Sequence, residues 1–101
     1  MKITYGKTRQ NCEEITISEE GMDEGELYYK IADILKTDFD ATFDLPLDGF
    51  DTIYWDFWVD GHRVTLHYQV FFGVVIFAND KKGGEAIWKI GEYLSQLRLS
   101  P

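Results

Sequence analysis

Cysteine is almost missing from this chain. Cys12 is the only one among 101 residues, so no internal disulfide can form and no cysteine-built zinc site can be assembled. That fits a reducing compartment. Glu13 and Glu14 follow Cys12 directly. Neighbouring carboxylates disfavour a thiolate, so the residue reads as an inert thiol. Proline is scarce too, with two in the chain. Together with a composition that is 45% hydrophobic and 16% aromatic, this describes a chain that forms a core and not a disordered one. No long apolar stretch exists. The longest, Val70 to Ala78, is far too short to cross a bilayer. Met1 to Tyr5 carries no apolar leader segment, which leads to the expectation of a cytoplasmic protein.

Positive charge is scarce where the chain is most charged. From Asn11 to Asp60, fifteen acids face only Lys30 and Lys36. The first ten residues have the opposite sign, with Lys2, Lys7 and Arg9 and no acid. The formal net charge is −8. Such a field repels nucleic-acid backbones and anionic membranes. It steers a basic protein or a cation toward the acidic segment, and it also serves solubility alone.

At this length one domain is expected, large enough to fold without a staple. Lys2 to Tyr5 and Glu14 to Ser18 alternate and read as strands joined by a polar loop through Gly6 and Asn11. Asp23 is a good helix N-cap, with Glu26 three residues on and Met22 and Leu27 at the staple positions. Leu27, Ile31, Ile34 and Leu35 then make one stripe at helical spacing, ending near Lys36 or Thr37. In the segment 38–51, Phe39, Ala41, Phe43, Leu45 and Leu47 alternate with acids and Thr42. Residues 39–45 are readable as an edge strand, apolar side inward, that Pro46 ends.

The clearest signal is a hairpin. Ile53, Trp55, Phe57 and Val59 alternate with Thr52, Tyr54, Asp56 and Trp58. Asp60-Gly61 suits a two-residue turn that needs positive φ, and Val64, Leu66 and Tyr68 alternate beyond it. The turn sets Phe57 against Val64, Trp55 against Leu66 and Ile53 against Tyr68, and every such pair is apolar. Phe71 to Ala78 reads as a central strand, with Gly73 marking a turn or bulge. A last helix is expected over Glu85–Leu97, with Ile87, Ile90, Leu94 and Leu97 buried. The order is β-β-α-(β)-β-β-β-α. Two helices with one apolar face each, and a sheet with one apolar face, predict an α+β two-layer sandwich: a mostly antiparallel sheet with both helices on one side.

The same register exposes a second face, with Trp58 opposite Arg63, Asp56 opposite Thr65 and Tyr54 opposite His67. Tyr54, Asp56, Trp58, Arg63 and His67 are therefore the candidate binding residues, because aromatics and arginine dominate protein interfaces. Cross-strand packing, including a Trp58–Arg63 cation–π pair, accounts for the same residues without a ligand. His67 with Asp56 and Tyr54 also offers an acid–base unit, although no nucleophile accompanies it. Asp38, Asp40, Thr42 and Asp44 have the spacing of a calcium loop. Phe43 stands where that loop needs glycine and Gly49 where it needs a bidentate glutamate, so the motif is rejected. No cofactor is implied.

Asp51-Thr-Ile-Tyr-Trp-Asp56, Leu66-His67, Gly73-Val-Val-Ile-Phe77 and Ile90-Gly-Glu-Tyr-Leu94 resemble small acidic bacterial α+β proteins of unknown or immunity-type function. The latter neutralise a toxin by binding it. The resemblance covers roughly the second half of the chain and transfers no functional residue. It implies a non-enzymatic binding domain of the immunity type. The acidic charge makes a basic toxin the expected partner, and the open hairpin face makes a second copy of the chain the other expected partner. The alternative is a small enzyme or cation-binding protein using His67 and the acidic segment.

Overall fold

The computed structural model describes residues 1–70 and 73–97. In chain order the elements are β1 (Lys2–Lys7), β2 (Glu13–Ser18), α1 (Glu24–Asp38), β3 (Thr42–Phe43) and β4 (Leu47–Asp48). They are followed by β5 (Thr52–Val59), β6 (His62–Gln69), β7 (Gly73–Ala78), a 3-10 turn (Lys81–Gly83) and α2 (Gly84–Ser95). All strands join one antiparallel sheet in the order β1-β2-β7-β6-β5-β3, with β4 also beside β5. Both helices cover one face, α1 over β6 and β7 and α2 over β1, β2 and β7. The protein is an α+β two-layer sandwich.

The β5–β6 hairpin has the register that its turn demands. Phe57 pairs with Val64, Trp55 with Leu66 and Ile53 with Tyr68. Asp60 and Gly61 both take positive φ, 51° and 78°, the conformation a tight hairpin turn requires. Phe57, Val64 and Leu66 are fully buried, as are Val74 and Ile76 of β7 and Ile15 of β2. Burying an aliphatic or aromatic side chain of this size contributes about 1.5–3 kcal/mol, so this one face supplies much of the folding free energy.

Helix α1 starts as its sequence directs. The Asp23 carboxylate accepts the Glu26 backbone N–H at 3.2 Å, and Leu27, Ile31 and Leu35 are buried while Ile34 sits at the margin. Tyr28, also fully buried, donates its hydroxyl to the Leu66 carbonyl at 2.9 Å. Helix α2 begins at Gly84 and stops at Ser95, two residues short of Leu97, which is half-buried. Ile87, Ile90 and Leu94 form its buried stripe. Asp80, unremarked in the sequence, caps the preceding turn by accepting the Gly83 N–H at 2.9 Å. Phe71 and Phe72, the start of the apolar run expected as a strand, lie outside the described residues. No helix among those described is long and apolar enough to cross a membrane.

The segment after α1 departs from the expected edge strand over 39–45. Only Thr42 and Phe43 pair with β5, opposite Trp58 and Phe57. Phe39 instead caps α1, donating its N–H to the Leu35 carbonyl, and Asp40 takes φ 53°. The chain spends those two residues turning, so the alternation that continues through them has no neighbouring strand to pair with. Leu45 and Leu47 face solvent rather than the core.

Candidate functional site

The sheet face away from the helices is built from alternate residues of the same strands. β5 supplies Tyr54, Asp56 and Trp58, and β6 supplies Arg63, Thr65 and His67. Val75 and Phe77 of β7 and Glu14 and Thr16 of β2 continue it. The five candidate residues therefore lie on one surface, and the structure divides them into two groups.

The first group is a polar network. Arg63 donates from Nε to Asp56 Oδ2 at 2.9 Å and from Nη2 to the same oxygen. Thr65, only 2% exposed, donates its hydroxyl to Asp56 Oδ1 at 2.6 Å. Asn79 donates to Thr65 Oγ1 at 3.0 Å. This replaces the Trp58–Arg63 cation–π pair that the register suggests. A guanidinium reaching a half-buried carboxylate makes charge-assisted hydrogen bonds that outweigh an exposed ring face. Trp58 is left 47% exposed. Among the described residues the cation–π contacts are elsewhere, from Lys36 Nζ to the rings of Trp55 (4.8 Å) and Phe43 (5.2 Å).

The second group is aromatic. The Tyr54 ring lies flat on the His67 imidazole, with centroids 4.2 Å apart and planes 7° from parallel. Phe77 meets His67 edge-on at 6.3 Å. Burial holds the imidazole pKa below its ordinary value, and His67 Nε2 is buried without a hydrogen-bond partner. With Asp56 committed to Arg63 and Thr65, His67 has no carboxylate partner for an acid–base pair among the described residues. Among the described residues no three His, Cys, Asp or Glu side chains converge as a metal site would need.

Two features went unseen in the sequence. One is the 44–51 segment beside Tyr54. Leu47 pairs with Tyr54 and so lies on the open face, 71% exposed. Leu45 is 85% exposed and Phe50 fully so. Asp44, Asp48 and Asp51 are interspersed among them. The segment is anchored at its start by Trp55, whose indole N–H donates to the Asp44 carbonyl at 2.6 Å. Pro46 and Gly49, which interrupt the alternation, were the available signal that no continuous edge strand runs through this segment.

The other feature is a cleft of about 610 Å3 between the open face and the β1–β2 loop, lined among others by Lys7, Arg9, Glu14, Tyr54, His67 and Phe77. The reversal of charge sign in the first ten residues hinted that this loop differs from the rest of the surface. Lys7 pairs with Glu13. Comparison with protein-family models, with curated proteins and with solved structures finds no match.

Proposed function

We propose that this protein is a non-enzymatic binding domain that docks a basic protein, in the manner of an immunity protein blocking a toxin. The observation that carries the reading is the exposure of Leu45, Leu47 and Phe50, with Leu47 directly beside Tyr54, interspersed with carboxylates. Apolar side chains clustered at a surface mark interaction sites. The acids add long-range attraction for a basic partner and suppress acidic ones. The resemblance to immunity-type proteins points the same way, and the net charge of −8 suits a cationic target.

The test is affinity capture from the source cell with the wild type and an L47A/F50S variant in parallel, at about 0.1 M and about 1 M salt, where the Debye length falls from about 10 Å to about 3 Å. The reading requires a basic protein retained by the wild type, lost by the variant and released by salt. Equal retention by the variant, or capture that ignores salt, overturns it. Sedimentation of the wild type over a range of concentrations distinguishes a second copy of the chain as the occupant.

A further inference from the structure

A second site is suggested by observations independent of the protein-binding reading. The floor of the cleft is aromatic. Tyr54 and His67 are stacked nearly parallel, Phe77 stands against the imidazole edge, and Val75 lies beside His67 in the next strand. Planar rings pack on such a surface with centroids about 4.5–7 Å apart. The wall is rigid. Thr8 donates its N–H to the Cys12 carbonyl at 2.8 Å, accepts the Asn11 N–H at its carbonyl at 2.9 Å, and accepts the Cys12 N–H at Oγ1 at 3.1 Å. Asn11 completes the turn with φ 61°. A wall fixed in advance reduces the ordering cost of binding.

The sign of the charge is the second observation. In a chain of net charge −8, this cleft is lined by two cations, Lys7 and Arg9, and one carboxylate, Glu14. Lys7 is taken up by Glu13, while Arg9 has no ion pair among the described residues. A guanidinium presents a planar fork that fits a carboxylate or phosphate in two-point contact.

The third observation is His67 Nε2, buried with no hydrogen-bond partner among the described residues. Buried polar atoms are nearly always satisfied, and an unsatisfied one calls for an explanation. Tyr54, which lies flat over that imidazole, is itself 42% exposed, and its hydroxyl makes no hydrogen bond among the described residues.

From the aromatic floor, the Arg9 guanidinium of the wall and the unsatisfied imidazole, we infer that the cleft between the open sheet face and the Thr8–Cys12 loop binds a small planar aromatic anion. The ring of the ligand packs against Tyr54, His67 and Phe77. Its anionic group meets Arg9. A shift of Tyr54 along the imidazole opens Nε2 to a polar atom of the ligand. The cleft volume falls within the range of about 300–1,000 Å3 typical of small-molecule sites.

The experiment is an amide and histidine-ring NMR titration of the full chain with 1-naphthoate. 1-Naphthylmethylammonium, of the same shape and opposite charge, is titrated alongside. The expected result is saturable shifts of the Lys7–Cys12 amides and of His67 and Phe77 with naphthoate only. Arg9→Gln should weaken naphthoate by about fivefold, the loss of one partly exposed ion pair, while Lys2→Gln, outside the cleft, leaves it unchanged. The inference is overturned if naphthoate produces no saturable shift, if the ammonium binds as well, if Arg9→Gln and Lys2→Gln behave alike, or if the shifts fall on the 44–51 segment instead.

Discussion

Arg63 places two of its nitrogens on a single oxygen of Asp56 and leaves Trp58, directly across the strand, uncovered. The other oxygen of Asp56 is held by Thr65. These two partners of one carboxylate sit in different surroundings. The Arg63 end is half-exposed, whereas Thr65 is buried.

Double-mutant cycles should therefore separate them. Asp56→Ala with Arg63→Ala is expected to show a coupling under about 1 kcal/mol that shrinks in high salt, as exposed ion pairs do. Asp56→Ala with Thr65→Val should show about 1–2 kcal/mol, insensitive to salt, because removing one partner leaves the other buried and unsatisfied. Urea unfolding at two salt concentrations measures both. The opposite ranking would mean that the network is held by the guanidinium.

Adjacent residues Phe57 and Trp58 point to opposite faces, and their truncations should differ accordingly. Phe57→Ala opens a core cavity costing about 3–5 kcal/mol. Trp58→Ala removes a half-exposed ring with cross-strand contacts, costing no more than about 1 kcal/mol. Chemical denaturation reads both. Equal losses would place Trp58 in the packing that holds the fold.

The His67 pKa is lowered by burial from its ordinary value of 6.5. The unfolded chain then binds more protons than the folded one between the two pKa values, so stability rises with pH across that interval. Above the ordinary value both states are neutral and there is no penalty. As the pH falls below it, stability is lost, until the folded pKa is passed and the penalty is complete. Unfolding midpoints of the wild type and His67→Gln at several pH values should diverge in this sense, with the variant less sensitive to mild acid. Parallel profiles would show that the imidazole titrates alike in both states.

At the exposed segment, Phe50→Ser should change folding stability by no more than about 0.5 kcal/mol, as surface substitutions do. It should weaken capture of a basic partner by at least about 1 kcal/mol, as interface anchors do, chiefly through faster dissociation. Replacing Asp44, Asp48 and Asp51 together by Asn should instead slow association and flatten its salt dependence. Surface plasmon resonance separates the two rates. A slower association for the Phe50 variant, with dissociation unchanged, contradicts the assigned roles.

The hairpin was legible because two local constraints agree. The Asp60-Gly61 turn and the apolar pattern of Ile53–Val59 each dictate one register. Asp23 was legible as a cap for the same reason, since the cap, the first-turn acids and the stripe through Leu35 are all local. Arg63 was not, because the register places Trp58 opposite and Asp56 on the diagonal, and only the strength of the charged contact decides between them. Leu45 was misread because alternation reports a strand only where a neighbour is available, and β5 accepts two short pairings, with Thr42–Phe43 and Leu47–Asp48, in place of one continuous edge. The cleft depends on β2 lying beside β7, a pairing between distant parts of the chain that no local pattern encodes.

That pairing also sets an order of assembly. β1 with β2, and β5 with β6, are hairpins closed by nearby residues, and each can form as soon as its own residues are available. Neither touches the other. β7 is the last strand among those described, and it lies between β2 and β6. During synthesis, two separate pieces of sheet therefore wait with unpaired edges and half-covered apolar faces until Gly73–Ala78 emerges to join them. Closing that gap spans most of the chain, the kind of long-range contact that slows folding and prolongs exposure to wrong partners.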